Sequence, residues 1–112
     1  EWRQTFSNNA HGKLTEEINF SWNNSTWDTT SKLIVLYDAK ERLKEEIYIY
    51  WQNSVGDTIR ITMRQYDANG RLSKITNYAK SGPILEVQTE TEYIYDPNDE
   101  ITTKFLFPKW AL

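Results

Sequence analysis

One phrase, returning at a fixed interval, constrains this chain more than any other feature. Tyr66-Asp67-Ala68-Asn69-Gly70-Arg71-Leu72 is echoed by Tyr37-Asp38-Ala39-Lys40-Glu41-Arg42-Leu43 before it and by Tyr95-Asp96-Pro97-Asn98-Asp99-Glu100-Ile101 after it, with 29 residues from each tyrosine to the next. One step further back lies Asn8-Asn9-Ala10-His11-Gly12-Lys13-Leu14, where Ala10, Lys13 and Leu14 keep the frame. The residues that follow also coincide: Leu14–Trp22 and Leu43–Trp51 share Glu-Glu-Ile and the tryptophan at equal offsets. Residues 1–112 therefore read as one β-repeat domain holding about four copies of a unit, the first and last incomplete. A period in this range specifies an architecture in which each unit covers its neighbour.

Each copy divides in two. After the Tyr-Asp phrase comes an alternating run: Leu14, Ile18, Phe20 and Trp22 on one face, then Leu43, Ile47, Ile49 and Trp51, then Leu72, Thr76 and Tyr78, then Ile101, Phe105 and Phe107. Period two with one apolar face is a half-buried strand. A polar break follows at residues 23–26, 53–57 and 80–83, and a second strand runs to the next Tyr-Asp over Ser31–Tyr37, Thr58–Tyr66 and Leu85–Tyr95. The unit is predicted to be strand, longer loop, strand, short turn, with almost no helix. Asn69-Gly70 suits a two-residue type I′ turn, and Asp96-Pro97-Asn98-Asp99 a type I turn with Pro second. Asp38, Asp67 and Asp96 are expected to accept backbone N–H groups of their turns.

The strands before each tyrosine are less regular. Ile59, Ile61 and Met63 lie off-phase from Tyr66, which predicts a bulge near Met63–Gln65. Leu85, Val87, Thr89, Thr91 and Tyr93 share the face of Tyr95, leaving Glu86, Gln88, Glu90 and Glu92 as a charged row opposite. The fold expected is all-β: an antiparallel meander of seven to eight strands. Its dry face needs a cover, so the sheet should curl into a barrel-like or two-layer form, or pair with a second copy as a homodimer.

Composition excludes several kinds of function. Thirteen Lys and Arg are scattered among 16 Asp and Glu, giving a net charge of −3, so no basic surface of the kind nucleic acid requires can be assembled. The absence of cysteine removes disulfides, thiolate nucleophiles and Cys-based zinc sites. The longest apolar run, Leu33–Tyr37, is far short of a membrane-spanning helix.

The Tyr-Asp-x-x-Gly-Arg-Leu signature, complete at Tyr66–Leu72, resembles the YD repeats of bacterial cell-surface and toxin-shell proteins (the Rhs and teneurin group). The chain is also similar to small exported proteins of unknown function from gut Bacteroidetes that reuse such hairpins. These resemblances imply a secreted, periplasmic or lipid-anchored β-protein, with no activity to inherit.

Residues able to carry catalysis are few. His11 is the only histidine and falls in a turn, at the position of Lys40 and Asn69. Glu16-Glu17 and Glu45-Glu46 point to opposite faces as strand neighbours, although Glu16 and Glu45 fall on the apolar one. No catalytic residue, metal ligand or cofactor is assigned. The aromatic set is the best candidate for function, with 16 of 112 residues Phe, Trp or Tyr. Trp22 and Trp51 end the dry face of matching strands, Tyr48 and Tyr50 point the other way, toward water, and Trp27 is expected in a loop. Exposed rings on a rigid sheet are what sugar- and protein-binding surfaces use, whereas the same rings packed as core plugs and cross-strand pairs would be structural. The reading that results is a non-enzymatic extracytoplasmic binding or adhesion module for a glycan or protein partner. A structural or subunit-assembly segment is the alternative, and a pocket-bearing, glycan-active enzyme the third. Positions that break the repeat, such as Trp27, Arg60, Arg64 and the Glu86–Glu92 row, are where function is sought.

Overall fold

In the computed structural model, which describes residues 1–107, eight strands follow one another: β1 (Trp2–Asn8), β2 (Leu14–Asn23), β3 (Thr26–Tyr37), β4 (Leu43–Gln52), β5 (Val55–Tyr66), β6 (Leu72–Ser81), β7 (Ile84–Tyr95) and β8 (Ile101–Phe107). They form one antiparallel meander in which spatial order equals chain order. The all-β meander expected from the period is what forms. The sheet does not close into a barrel, and no second layer covers it among the described residues. No helix among these residues is long and apolar enough to cross a membrane.

The turns reverse the expected lengths. The polar breaks are two-residue hairpins: Asn24-Ser25 (φ 49° and 73°) and Asn53-Ser54 (54° and 65°) carry positive φ at both positions, as type I′ demands. Gly82 (63°) precedes Pro83 in the third, the pattern of type II′. The Tyr-Asp turns are the longer ones. Asn69-Gly70 does not make a type I′ turn, since Gly70 alone has positive φ (81°). A five-residue loop from Asp67 to Arg71 forms instead, because the Asp67 carboxylate collects the amides of Asn69 and Arg71, both at 2.9 Å. Asp38 and Asp96 cap their loops in the same way, and Asn9 does so in the first copy. The type I turn at Asp96–Asp99 closes with the Asp99 amide on the Asp96 carbonyl at 3.0 Å.

Bulges recur at the repeat period. The pairing skips Thr15, Lys44 and Ser73 in one set of strands and Thr30, Ile59 and Gln88 in the other. The shift at Gln65/Tyr66 comes from Ser73 across the ladder, and the extra residue of β5 is Ile59, not one in Met63–Gln65. Each bulge reverses the alternation of its strand. Leu14, Leu43 and Leu72 consequently leave the face of Ile18, Ile47 and Tyr78 and join that of Tyr37 and Tyr66. The charged row of β7 is split as well: Glu90 and Glu92 share a face with Val87, while Glu86 lies on the other.

Two half-apolar faces result. The front carries Phe20, Trp22, Ile34, Ile47, Trp51, Ile61 and Tyr78; the back carries Leu33, Val35, Tyr48, Tyr66, Ile75 and Tyr93. Val35 (5% exposed) and Thr76 (4%) are the buried residues among those described. Cover comes instead from long side chains lying along the sheet. Arg60 sits over the Tyr48 ring at 4.5 Å, Lys32 pairs with Glu16 at 2.9 Å, and Arg64 with Glu46 at 2.5 Å. Their aliphatic stems shield apolar neighbours while the charged heads stay wet. This replaces the second layer that a one-sided apolar sheet would have required.

The repeats are tied at the Tyr-Asp edge. Ladder rungs stop at Glu16–Ile34, Glu45–Met63 and Lys74–Glu92. Beyond them the hydroxyls of Tyr37, Tyr66 and Tyr95 donate to the carbonyls of Leu14, Leu43 and Leu72 at 2.7, 2.5 and 2.7 Å. A cation lies on each ring, from Lys13, Arg42 and Arg71 at 5.5, 4.5 and 4.3 Å. The phrase that defines the sequence is thus consumed by the scaffold.

Candidate functional site

The front of the sheet, at the edge of the tight turns, carries the tryptophans. Trp22 and Trp27 face each other across β2 and β3 and meet edge to face at 5.2 Å. Trp27 belongs to β3 and not to a loop, because the Asn24-Ser25 turn needs only two residues. Arg3 lies over the Trp27 ring at 4.5 Å and over Phe20 at 5.1 Å. Trp51 lies flat across Gly56, its partner on β5: a Cβ there would stand 2.7 Å from Trp51 Cε2. Glycine at this position is what allows the indole to lie against the backbone.

A cleft opens between these rings. Pairing of β3 with β4 ends at Ser31–Tyr50, and beyond it the two hairpin tips part. The gap, about 470 Å3, is lined by Trp27, Asp28, Thr29, Thr30, Trp51, Asn23, Asn53 and Ser54. Indole walls supply flat apolar area, while the amide, hydroxyl and carboxylate groups supply directional hydrogen bonds. Asp28 accepts from Thr26 Oγ1 at 3.2 Å and, weakly, from Asn23 Nδ2 at 3.5 Å.

Of the five aromatic residues singled out in the sequence, Trp27 and Trp51 meet at this cleft and Trp22 packs against Trp27. Tyr48 and Tyr50 stand on the opposite face. Tyr48 is half-buried beneath Arg60, and Tyr50 is 52% exposed beside a smaller gap of about 200 Å3 that includes Glu17, Asn19 and Ser31. The cleft residues Asp28, Asn53 and Ser54 were not anticipated. Their signal was the repeat itself, in which Asp28 corresponds to Asp57 and Trp51 to Lys80.

The other candidates are engaged in the scaffold. Glu16 and Glu46 pair with cations on opposite faces, so no facing carboxylates form there. His11 sits in its turn, 3.4 Å from Glu41. The Arg71 amide, assisted by its guanidinium and by the Asn69 amide, holds the Asp67 carboxyl below the usual carboxylate range. Asp38 is lowered likewise by the Arg42 amide and guanidinium and the Lys40 amide.

Among solved structures, a DUF3836 family protein from Bacteroides vulgatus ATCC 8482 has a similar fold, with a TM-score of 0.51 and 11% identity over 92% of this chain and 90% of that one. A DUF3836 family protein from Parabacteroides distasonis ATCC 8503 gives 0.48 and 10% identity over 95% and 89%. A protein with unknown function from Bacteroides fragilis NCTC 9343 gives 0.46 and 11% over 93% and 88%. The first likeness shows a shared fold. No protein-family model matches this chain, and no curated protein does.

Proposed function

We propose that this chain is a non-enzymatic extracytoplasmic binding module whose ligand is a glycan held at the front-face tryptophan cleft. One observation carries the reading: two indoles, Trp27 and Trp51, wall a gap of about 470 Å3 whose remaining lining is polar. A sugar ring has an apolar face and a hydroxyl rim, and this lining complements both. Both indole walls stand on strands held in the hydrogen-bonded ladder, Trp27 opposite Trp22 and Trp51 opposite Gly56, which limits the ordering entropy lost on binding. The extracytoplasmic location rests on the resemblance to exported Tyr-Asp proteins.

The experiment is a glycan array followed by calorimetric titration of the best hit. Replacing Trp27 and Trp51 together by Ala should abolish capture while the far-ultraviolet circular dichroism is unchanged. Replacing Tyr48 and Tyr50 by Ala should leave capture intact. Loss in the tyrosine variant alone would move the site to the back face.

A second reading, assembly with other copies, draws on the edge strands. Trp2 (71% exposed) and Phe6 on β1, with Ile101 and Phe105 on β8, leave large apolar groups in water on one face. Sedimentation velocity tests it: concentration-dependent oligomers support assembly, and a monomer at high concentration removes it.

A further inference from the structure

The tryptophan cleft has a counterpart one repeat later, and the two differ in a way that identifies the ligand more closely. The second cleft, about 380 Å3, lies between the next pair of hairpin tips and is lined by Gly56, Asp57, Thr58, Lys80, Pro83 and Leu85. Twenty-nine residues earlier these positions are Trp27, Asp28, Thr29, Trp51, Ser54 and Gly56. All but the last line the first cleft. The two are the same construction with different furniture.

In the second cleft the Lys80 ammonium crosses the gap and pairs with Asp57. The chain thereby fills its own site with a cation. In the first cleft the aspartate is kept as Asp28, but the lysine is replaced by Trp51. Among the described residues no cationic group lies within 4.0 Å of the Asp28 carboxylate, whose side-chain partners are the neutral Thr26 and Asn23. Arg3 lies over the Trp27 and Phe20 rings, on the β1 side of Trp27. Asp28 borders the gap from the back, opposite Ser21, while Trp27 and Trp51 stand on the front. A cation entering the gap from the front, as Lys80 does in the second cleft, passes the indoles to reach the carboxylate, and both attract its charge.

We infer that the first cleft binds a saccharide bearing a free, protonated amine, with the ammonium taking beside Asp28 the place that Lys80 takes beside Asp57. This rests on the glycan reading above and narrows it to amino sugars that are not N-acylated. Trp51 stacks the ring, Trp27 closes the far wall, and Asn53 and Ser54 are placed for the hydroxyls.

The test compares three hexasaccharides by calorimetry on the whole chain: β-1,4-linked glucosamine, its N-acetylated form and the corresponding glucose oligomer. The wild type should bind the glucosamine oligomer about tenfold more tightly than the other two, the scale of one well-formed cation contact. Asp28→Asn should erase that preference while retaining the weaker neutral binding. Trp51→Lys, which rebuilds the self-filled arrangement of the second cleft, should abolish binding of all three. Glu100→Gln removes an equal charge far along the sheet and should leave the preference untouched, which controls for general attraction of a polycation to an acidic protein. Equal affinity for all three oligomers, or a preference that survives Asp28→Asn, overturns the inference but leaves the glycan reading standing. Failure of all three to bind overturns the inference, and a glycan array that also returns no hit overturns the glycan reading with it.

Discussion

Removing one hydroxyl from the Tyr-Asp edge isolates the device that joins repeat to repeat. Tyr66→Phe keeps the half-buried ring and its place beneath Arg42, 4.5 Å away, and deletes only the donor to the Leu43 carbonyl at 2.5 Å. That carbonyl lies beyond the last rung between β4 and β5, Glu45–Met63, so the phenol stands in for the next bond of the ladder. The edge is partly exposed and water can replace some of what is lost. The cost should therefore be that of a net hydrogen bond, about 1 kcal/mol, and not the larger penalty of a fully buried orphan. Tyr37→Phe and Tyr95→Phe remove equivalent bonds at 2.7 Å and should cost about the same. The three sites are two strands apart, roughly 10 Å, far enough for near-additivity. The triple variant should lose about 3 kcal/mol, a large fraction of the stability of a small domain. Urea unfolding followed by tryptophan fluorescence measures this directly. Single variants within about 0.3 kcal/mol of wild type would show that the hydroxyls are ornamental and that the rings alone hold the repeats together.

Other outcomes follow from single residues. Ser25→Gly and Ser54→Gly relieve positive φ of 73° and 65° in type I′ turns; each should stabilise by about 0.5–1 kcal/mol in the same assay. Gly56→Ala forces the Trp51 indole off the backbone, since its Cβ would stand 2.7 Å from Cε2; tryptophan emission should change and glycan affinity should fall. The folded carboxyls of Asp38 and Asp67 are depressed by amides and guanidinium groups of their loops. Their contribution is therefore present above the unfolded aspartate value, about 3.9, and is lost as pH falls through the lower folded value. The urea midpoint should drop on acidification across that window, and Asp67→Asn should flatten part of the decline.

How much of this could be read from residues alone depends on what a bulge does to a pattern. The 29-residue period, the strand number and the capping aspartates follow from residue types whose chemistry is local. The side-chain faces do not. One extra residue at Thr15, Lys44 and Ser73 turns each preceding leucine to the back, yet nothing in Thr, Lys or Ser marks a bulge. Gln88 likewise divides what looked like a single acidic row. Turn lengths are not legible either: Asn69-Gly70 is a strong type I′ pair in isolation, and the Asp67 carboxylate outweighs it by binding two amides. The uncovered sheet departs furthest from the pattern of apolar residues. Arg60 on Tyr48 and Lys32 beside Glu16 show how charged side chains can replace a second layer.

The cleft was half visible: Trp27 and Trp51 stood out as large aromatics, while Asp28, Asn53 and Ser54 looked like ordinary turn-flanking residues. Only the divergence of the two hairpin tips beyond Ser31–Tyr50 brings them together.

The indole N–H resonances of the five tryptophans test the functional account most directly, since each reports its own surroundings. On titration with the glucosamine hexasaccharide, the Trp27 and Trp51 signals should shift in a saturable manner and the Trp2 signal should stay in place. Shifts confined to Trp2, or to backbone amides around Tyr48 and Tyr50 on the back face, would contradict the assignment of the cleft as the binding site.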